Sequence, residues 1–276
     1  MMMVDAQIHV WSRNRPDRRW PQGRGQYSHG PALSAEEVLR VMDETGVARA
    51  VLVPPSWIGD DNSDSLAAAR RYPDRFAVMG RFDPAAPDAR VRITRWLNEP
   101  GMRGMRFTLH RPPWRTWLAD GTLDWFWSAA EAARIPLMIL VPGQLAAAGA
   151  IAERHPRLRV ILDHLARPSG TTDDAAFADL DQLLALARHP NVAVKVTSLP
   201  SYSTEAYPFP GLHRHIRRVH DAFGARRMLW GTDYSRLPVP YEDAIRLFTE
   251  ALDFLSADDR EWIMGRATAE WIGWSL

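Results

Sequence analysis

The sequence predicts a (β/α)8 barrel in a single domain, residues 1–276, on three observations: eight short apolar, β-rich runs, a helical pattern between them, and a length that accommodates eight such units. The runs are 4–10, 49–54, 76–80, 104–108, 136–141, 158–163, 192–197 and 228–231. The first helix, 34–44, opens with Ser34 and Glu37 in capping-box spacing and closes at Gly46. Further helices are expected at 63–71, 88–97, 123–133, 145–154, 175–187, 212–223, 241–255 and 257–272. A doubly wound open sheet is the alternative, and no Gly-rich dinucleotide turn follows the first strand to favour it. No linker, internal repeat or low-complexity tract divides the chain. Two longer irregular segments, 12–33 and 197–211, follow the C-terminal ends of strands and are expected to roof a pocket.

Composition narrows the function classes. With 46% hydrophobic residues and a formal net charge of +1, the chain reads as an ordinary soluble enzyme that binds neither nucleic acid nor membrane. No apolar stretch approaches the roughly 20 residues of a membrane span. The basic run 13–24 is interrupted by Pro16, Asp17, Trp20 and Pro21 and reads as a loop. Met1 to Val4 lead straight into the first strand, which leaves no room for a secretory signal and makes the cytoplasm the default location. The absence of cysteine excludes disulfides, thiolate catalysis and Cys-type zinc sites.

In a barrel, strand interiors are packed with branched apolar side chains, so polar residues at C-terminal strand ends are the first candidates for chemistry. Five segments qualify. They are Gln7 to Trp11, Arg103 to Thr108, Asp163 to Pro168, Trp230 to Ser235, and the seventh strand with Lys195. The stretch Asp5-Ala6-Gln7-Ile8-His9 is nearly an Asp-x-His-x-His metal pattern, but glutamine holds the first histidine position. Residues two apart in a strand share a face, so a full His-x-His would aim two imidazoles at one ion, whereas Gln7 offers only a neutral amide.

Together these motifs resemble the amidohydrolase superfamily, most closely the branch containing 2-pyrone-4,6-dicarboxylate lactonase and several sugar lactonases. The resemblance spans essentially the whole chain and rests on Asp-x-x-x-His at the first strand, Arg-Gly-x-Arg-Phe at the fourth, Asp-His-Leu-x-Arg-Pro at the sixth and Gly-Thr-Asp at the eighth. It implies that His9, His164 and Asp233 surround a scissile carbonyl, and that Arg106, with Arg111 a looser match, holds a substrate carboxylate. The implied activity is opening of a carboxylate-bearing lactone, of the kind met in aromatic compound degradation or sugar metabolism. Asp233 would take a proton from water, and His9 and His164 would donate to the carbonyl oxygen, with Gln7 as a third donor. No cofactor is expected, because Gln7 replaces an imidazole and the guanidinium of Arg106 repels a divalent cation. The rival is a zinc- or manganese-dependent decarboxylase or hydrolase with His9, His164 and Asp233 as ligands; a further alternative is a barrel that binds ligand without turnover.

Each candidate also has a bland reading. His9 could be an interior histidine bonded to a backbone carbonyl, and Asp233 a turn aspartate capping the next segment. Asp5 reads equally as a group orienting a ligand and as a structural acceptor. Lys195 lies inside an apolar strand and requires an anion, either in a structural ion pair or in the pocket. His213 and His215 imitate His-x-His, but on an amphipathic helix residues two apart point about 200° apart. His29, His110, His155, His189 and His220 read as surface or loop residues, with His110 near enough to Arg111 to reach a substrate. Trp11, Trp20 and Trp57, just beyond strand ends, are the expected pocket walls.

Overall fold

A computed structural model of the chain describes residues 1–17, 19–20, 30–110 and 114–275. Eight parallel strands form one sheet in chain order: β1 Met3–Ile8, β2 Val47–Leu52, β3 Phe76–Gly80, β4 Met102–Thr108, β5 Leu137–Leu140, β6 Val160–Leu162, β7 Val192–Thr197 and β8 Met228–Gly231. Each apolar run of the sequence overlaps one of them, and the expected barrel is the observed one. Ends differ where polar groups intervene. β6 stops at Leu162 because the chain turns sharply at Asp163, with His164, Leu165 and Ala166 all at positive φ.

Helices alternate with the strands. α1, Ala35–Thr45, has the capping box the sequence announces, with the Glu37 amide donating to Ser34 Oγ and the Ser34 amide donating to Glu37 Oε2; Gly46 at φ 74° ends it. α2 Ser63–Arg71 follows at its expected place; α3 Ala89–Arg92 covers only the start of the 88–97 pattern, which continues as a 3-10 segment, Ile93–Asn98; α4 Asp124–Ala132 and α5 Leu145–Arg154 again match their patterns. Three later segments that read as continuous helices are broken. The 175–187 pattern becomes α6 Asp173–Ala176 and α7 Leu180–Leu184, then a 3-10 turn; after α8, Pro210–Phe223, the 241–255 pattern becomes α9 Tyr241–Arg246 followed by a π turn. Likewise 257–272 divides into α10 Ala257–Glu261, a π turn, and α11 Ala267–Ile272. Apolar periodicity is preserved across such turns, so it could not reveal them.

The barrel interior is a buried apolar column containing Val4, Ala6, Val51, Met79, Met138 and Leu229, continuous with α11 and Trp274, which close the end where the strands begin. Arg49, Arg103 and Arg159, at strand starts, donate to carbonyls of residues 270–275 and fix this plug. A larger apolar layer lies between strands and helices. At the β8–β1 seam the Asp5 carboxylate takes over the work of a ladder: it accepts from the Gln7 amide (2.8 Å), the Thr232 amide (3.0 Å) and hydroxyl (2.6 Å), and the Tyr241 hydroxyl (2.6 Å). Of the two readings of Asp5, the geometry is that of the structural acceptor. Gly231 is required here, since a Cβ would stand 2.6 Å from Asp5 Oδ1 and 2.8 Å from the Ala6 nitrogen. Asp5 thus sets the height at which β8 hands over to its C-terminal loop. Among the described residues no helix is long and apolar enough to cross a membrane.

Candidate active site

The C-terminal strand ends surround a cavity of about 470 Å³. Gln7 and His9 reach it from the end of β1, Arg106 and Thr108 from β4, His164 from the turn after β6 and Asp233 from the turn after β8. A register slip between β1 and β2, between Asp5 and Ile8, accompanies this placement of Gln7 and His9 on the pocket face. Trp11 and Trp57 form walls as expected, packed edge to face at 6.0 Å, while Trp20 stands behind Trp57 at 4.6 Å. His110 and Trp114 also line the cavity. Arg111 lies outside the described residues, as does His29.

Asp233 is the centre of this arrangement. Its Oδ1 lies 3.0 Å from His9 Nε2 and its Oδ2 lies 3.8 Å from His164 Nε2. The capping alternative fails: Asp233 occupies the N-cap position of the turn Tyr234–Arg236, yet its side chain makes no capping bond. Burial alone would raise its carboxyl, but the hydrogen bond and charge of His9, with His164 and Arg236, hold it well below the usual carboxylate range. It is therefore an anion at any physiological pH. Asp233 has φ 53° and its amide donates to Gln7 O at 2.9 Å, so the backbone holds a left-handed conformation that aims the carboxylate inward. Such residues cost of order 1–3 kcal/mol each and are tolerated where the surroundings over-determine them; Ser198 and the three residues from His164 to Ala166 share the feature, all just past strand ends.

The two histidines differ in their chemistry. The Val53 carbonyl, 2.5 Å from His9 Nδ1, can only accept, so Nδ1 carries a proton and Nε2 faces Asp233. The carbonyl bond of the bland reading is present, but on the ring nitrogen turned away from the cavity. His9 Nε2 stands 3.0 Å from Asp233 Oδ1 and 3.3 Å from the Gln7 side-chain nitrogen, so this ring nitrogen is shared between the carboxylate and the amide. His164 is instead driven down to about 4, burial being the main cause against the pull of Asp233 and Asp163, and is neutral at pH 7. Its Nδ1 lies 2.7 Å from the Thr197 hydroxyl, which can donate to it and leave the proton on Nε2, facing the cavity.

Behind this layer lies a buried charge network that the sequence indicated only through Lys195. Lys195 Nζ pairs with Asp163 Oδ1 at 3.1 Å and donates to Gln7 Oε1; Arg106 Nε donates to Asp163 Oδ2 at 2.9 Å and its Nη1 donates to the Thr108 hydroxyl. Lys195 thus has the anion its position demands, in the structural pair rather than in the pocket. The bond to Lys195 also fixes the Gln7 amide: its oxygen is taken, so its NH2 points toward His9 Nε2, 3.3 Å away. Burial works against ionisation of Asp163, but Lys195, Arg106 and His164 hold it down to about 2. Two cations and one anion leave a net positive charge under the cavity floor. Arg106 is correspondingly tied on its Nε edge, and only its outer Nη edge is left for a substrate.

Two buried charged residues beside the cavity escaped the sequence reading. Asp163 was visible only as part of a motif, although the need of Lys195 for an anion is a signal that could have found it. Arg81, just past β3, is buried near Thr108 with no motif to mark it. The expectation that 197–211 roofs the cavity is not met: none of 198–211 lines it. That segment instead folds back, burying Tyr202 against Phe177. The segment 12–33 lies partly outside the described residues. His213 donates to or accepts nothing in the pocket and sits 2.7 Å from the Pro208 carbonyl, while His215 is buried, stacked on Phe177; His189, expected at the surface, is buried as well.

The fold alone does not define the chemistry, and comparison with known proteins gives the family. Residues 4–274 match the family model described as amidohydrolase, and the chain belongs to that family. It is 33% identical over 249 residues, 87% of this chain and 83% of the relative, to an L-fucono-1,5-lactonase of Burkholderia ambifaria. It is also 26% identical over 244 residues, 83% of this chain and 73% of the relative, to a 4-sulfomuconolactone hydrolase of Hydrogenophaga intermedia. Among solved structures, an amidohydrolase from Burkholderia multivorans with bound zinc superposes with a TM-score of 0.83 at 23% identity, covering 99% of both chains. That likeness shows the fold.

Proposed function

We propose that the protein is a hydrolase that opens a carboxylate-bearing lactone by attack of water, with Asp233 as general base and no metal. The observation that carries this reading is the ionised, buried Asp233 carboxylate, 3.0 Å from His9 Nε2 and facing a cavity with His164 and Arg106 on its walls. The names of the two relatives, both acting on lactones, support the substrate class. Water held by Asp233 loses its proton to the carboxylate as its oxygen attacks the lactone carbonyl. Charge then develops on the carbonyl oxygen, to which His9, the Nε2 proton of His164 and the Gln7 NH2 donate in this reading. Each such donor is worth about 2.7–4 kcal/mol in well-characterised sites. When the ring C–O bond breaks, the leaving alkoxide takes the proton that Asp233 accepted from water, which restores the carboxylate and gives the open hydroxy acid. The outer edge of Arg106 binds the substrate carboxylate and holds the carbonyl at the water.

A divalent metal does not fit these residues. Gln7 Oε1 is already bonded to Lys195, and among the described residues no group of three or more His, Asp or Glu has the geometry to hold an ion. Lys195 and Arg106 add positive charge beside the same position. Protein purified without chelators is expected to contain well under one zinc or manganese per chain by elemental analysis. Stoichiometric metal that is lost together with activity would favour the metal-dependent decarboxylase or hydrolase instead. Substrate anchoring is tested by Arg106→Met. The expected result is at least about a tenfold rise in KM for an acidic lactone and little change for its neutral ester, since the lost contact is charge-assisted. Equal losses for both would assign Arg106 a structural role only. A non-catalytic barrel would bind lactones without turning them over.

A further inference from the structure

Beside the catalytic cavity lies a second one of about 290 Å³, walled by Trp57, Trp114, Trp117, Phe82 and Phe107. Ser56, Trp57, Thr108 and Trp114 border both, so the two cavities adjoin along a wall that includes Thr108. Into the smaller one comes Arg81, only 7% exposed, and its Nε has no hydrogen-bond acceptor among the described residues. Its charge is incompletely answered: Asp60 Oδ1 stands 4.0 Å from Nε, beyond hydrogen-bond reach, and Asp83, which also lines the cavity, accepts from the Ala85 amide. A guanidinium kept this dry normally has its donors filled.

The partner Arg81 does have is informative. Its Nη1 lies 3.4 Å from the Thr108 hydroxyl, the same oxygen that accepts from Arg106 Nη1. A hydroxyl accepting from two guanidiniums must point its own proton elsewhere, and the meeting of the two cavities is where an acceptor would fit. Two buried cations drawn to one neutral oxygen repel each other, and burial and Arg106 together depress the Arg81 guanidinium to about 10. An anion at the meeting point would relieve that repulsion and supply acceptors for Arg81, for Arg106 and for the Thr108 proton at once.

We infer that Arg81 is a specificity residue: with Arg106, and with Thr108 between them, it forms a two-arginine clamp that binds one acidic substituent of the substrate where the two cavities meet. The aromatic walls beyond would hold the apolar body attached to that group. The inference rests on the carboxylated-lactone reading for the identity of the substrate, but its geometry does not depend on turnover. A carboxylate and a sulfonate share the chemistry the clamp would recognise.

Calorimetric titration with benzoate and its neutral isostere benzamide, neither of which is a substrate, tests it, with benzenesulfonate as a third probe separating the two anions. The wild-type protein is expected to bind benzoate at least tenfold more tightly than benzamide. Arg81→Gln should remove that preference by weakening benzoate tenfold or more, with benzamide unchanged within threefold, and Arg81→Lys should restore only part of it, because a lysine lacks the fork. Should Arg81→Gln fail to fold, Arg81→Lys and Thr108→Val give the same readout through a graded loss. Equal wild-type binding of both probes, no binding of either, or a preference untouched in the Arg81 variants would overturn the clamp. Lactone hydrolysis without a benzoate preference would overturn the clamp alone; a benzoate preference in a protein that hydrolyses no lactone would overturn the hydrolase reading and leave the clamp standing.

Discussion

Asp233→Asn is expected to lower kcat by at least about 100-fold, the lower end of what a positioned general base contributes, while the folded structure persists. The structure gives reasons for both halves of that expectation. Asparagine tolerates the left-handed conformation found at 233, and the bond from the 233 amide to the Gln7 carbonyl is a backbone bond that the substitution leaves intact. The side chain makes no capping bond that would be lost. What disappears is the negative charge between His9 and His164 and the ability to accept a proton from water. Substrate binding through Arg106 should persist, and the variant should retain an unopened lactone in the pocket. A kcat within a few-fold of the parent would remove Asp233 as the base.

The second large effect concerns stability. Asp163→Asn strips the shared counterion from Lys195 and Arg106, both buried, and loss of one partner from a buried ion pair typically costs about 3–5 kcal/mol. Urea denaturation at pH 7 should show that loss. The pH dependence has a definite sign. The carboxyl lies near 2 in the folded protein against an ordinary 3.8, so the unfolded chain binds the proton more readily. The stabilisation is fully present above about pH 4 and is lost as pH falls toward 2; the asparagine variant lacks this contribution and should show a flatter acid limb. A loss under about 1 kcal/mol at pH 7 would mean that Lys195 sheds its charge on folding, a direction in which burial already pushes it.

The barrel and most of the residues gathered at its candidate site were legible in the sequence for one physical reason. Strand interiors of a barrel are apolar, so His9, Arg106, His164, Lys195 and Asp233 each stood out as polar residues at or near a strand end. The capping box at Ser34 and Glu37 was legible because its two bonds are made within one turn. What escaped depends on contacts distant in sequence. Arg81 is separated from Thr108 by a whole β/α unit, and nothing in Gly80-Arg81-Phe82 announces that its guanidinium is buried rather than solvated. The orientation of Gln7, and with it the use of its NH2, is set by Lys195 on β7, 188 residues away in sequence. The breaks in the last helices are invisible to periodicity, and the fold-back of 198–211 is decided by the packing of Tyr202 on Phe177.

The account as a whole is tested most directly by proton release during lactone hydrolysis, followed with a pH indicator in chelator-treated protein across aromatic ring-cleavage lactones and acidic and neutral sugar lactones. It predicts turnover of at least one carboxylated lactone, undiminished by the chelator and not raised by added zinc or manganese. Activity abolished by the chelator and restored by either metal, or no hydrolysis of any lactone by a folded protein, would contradict it.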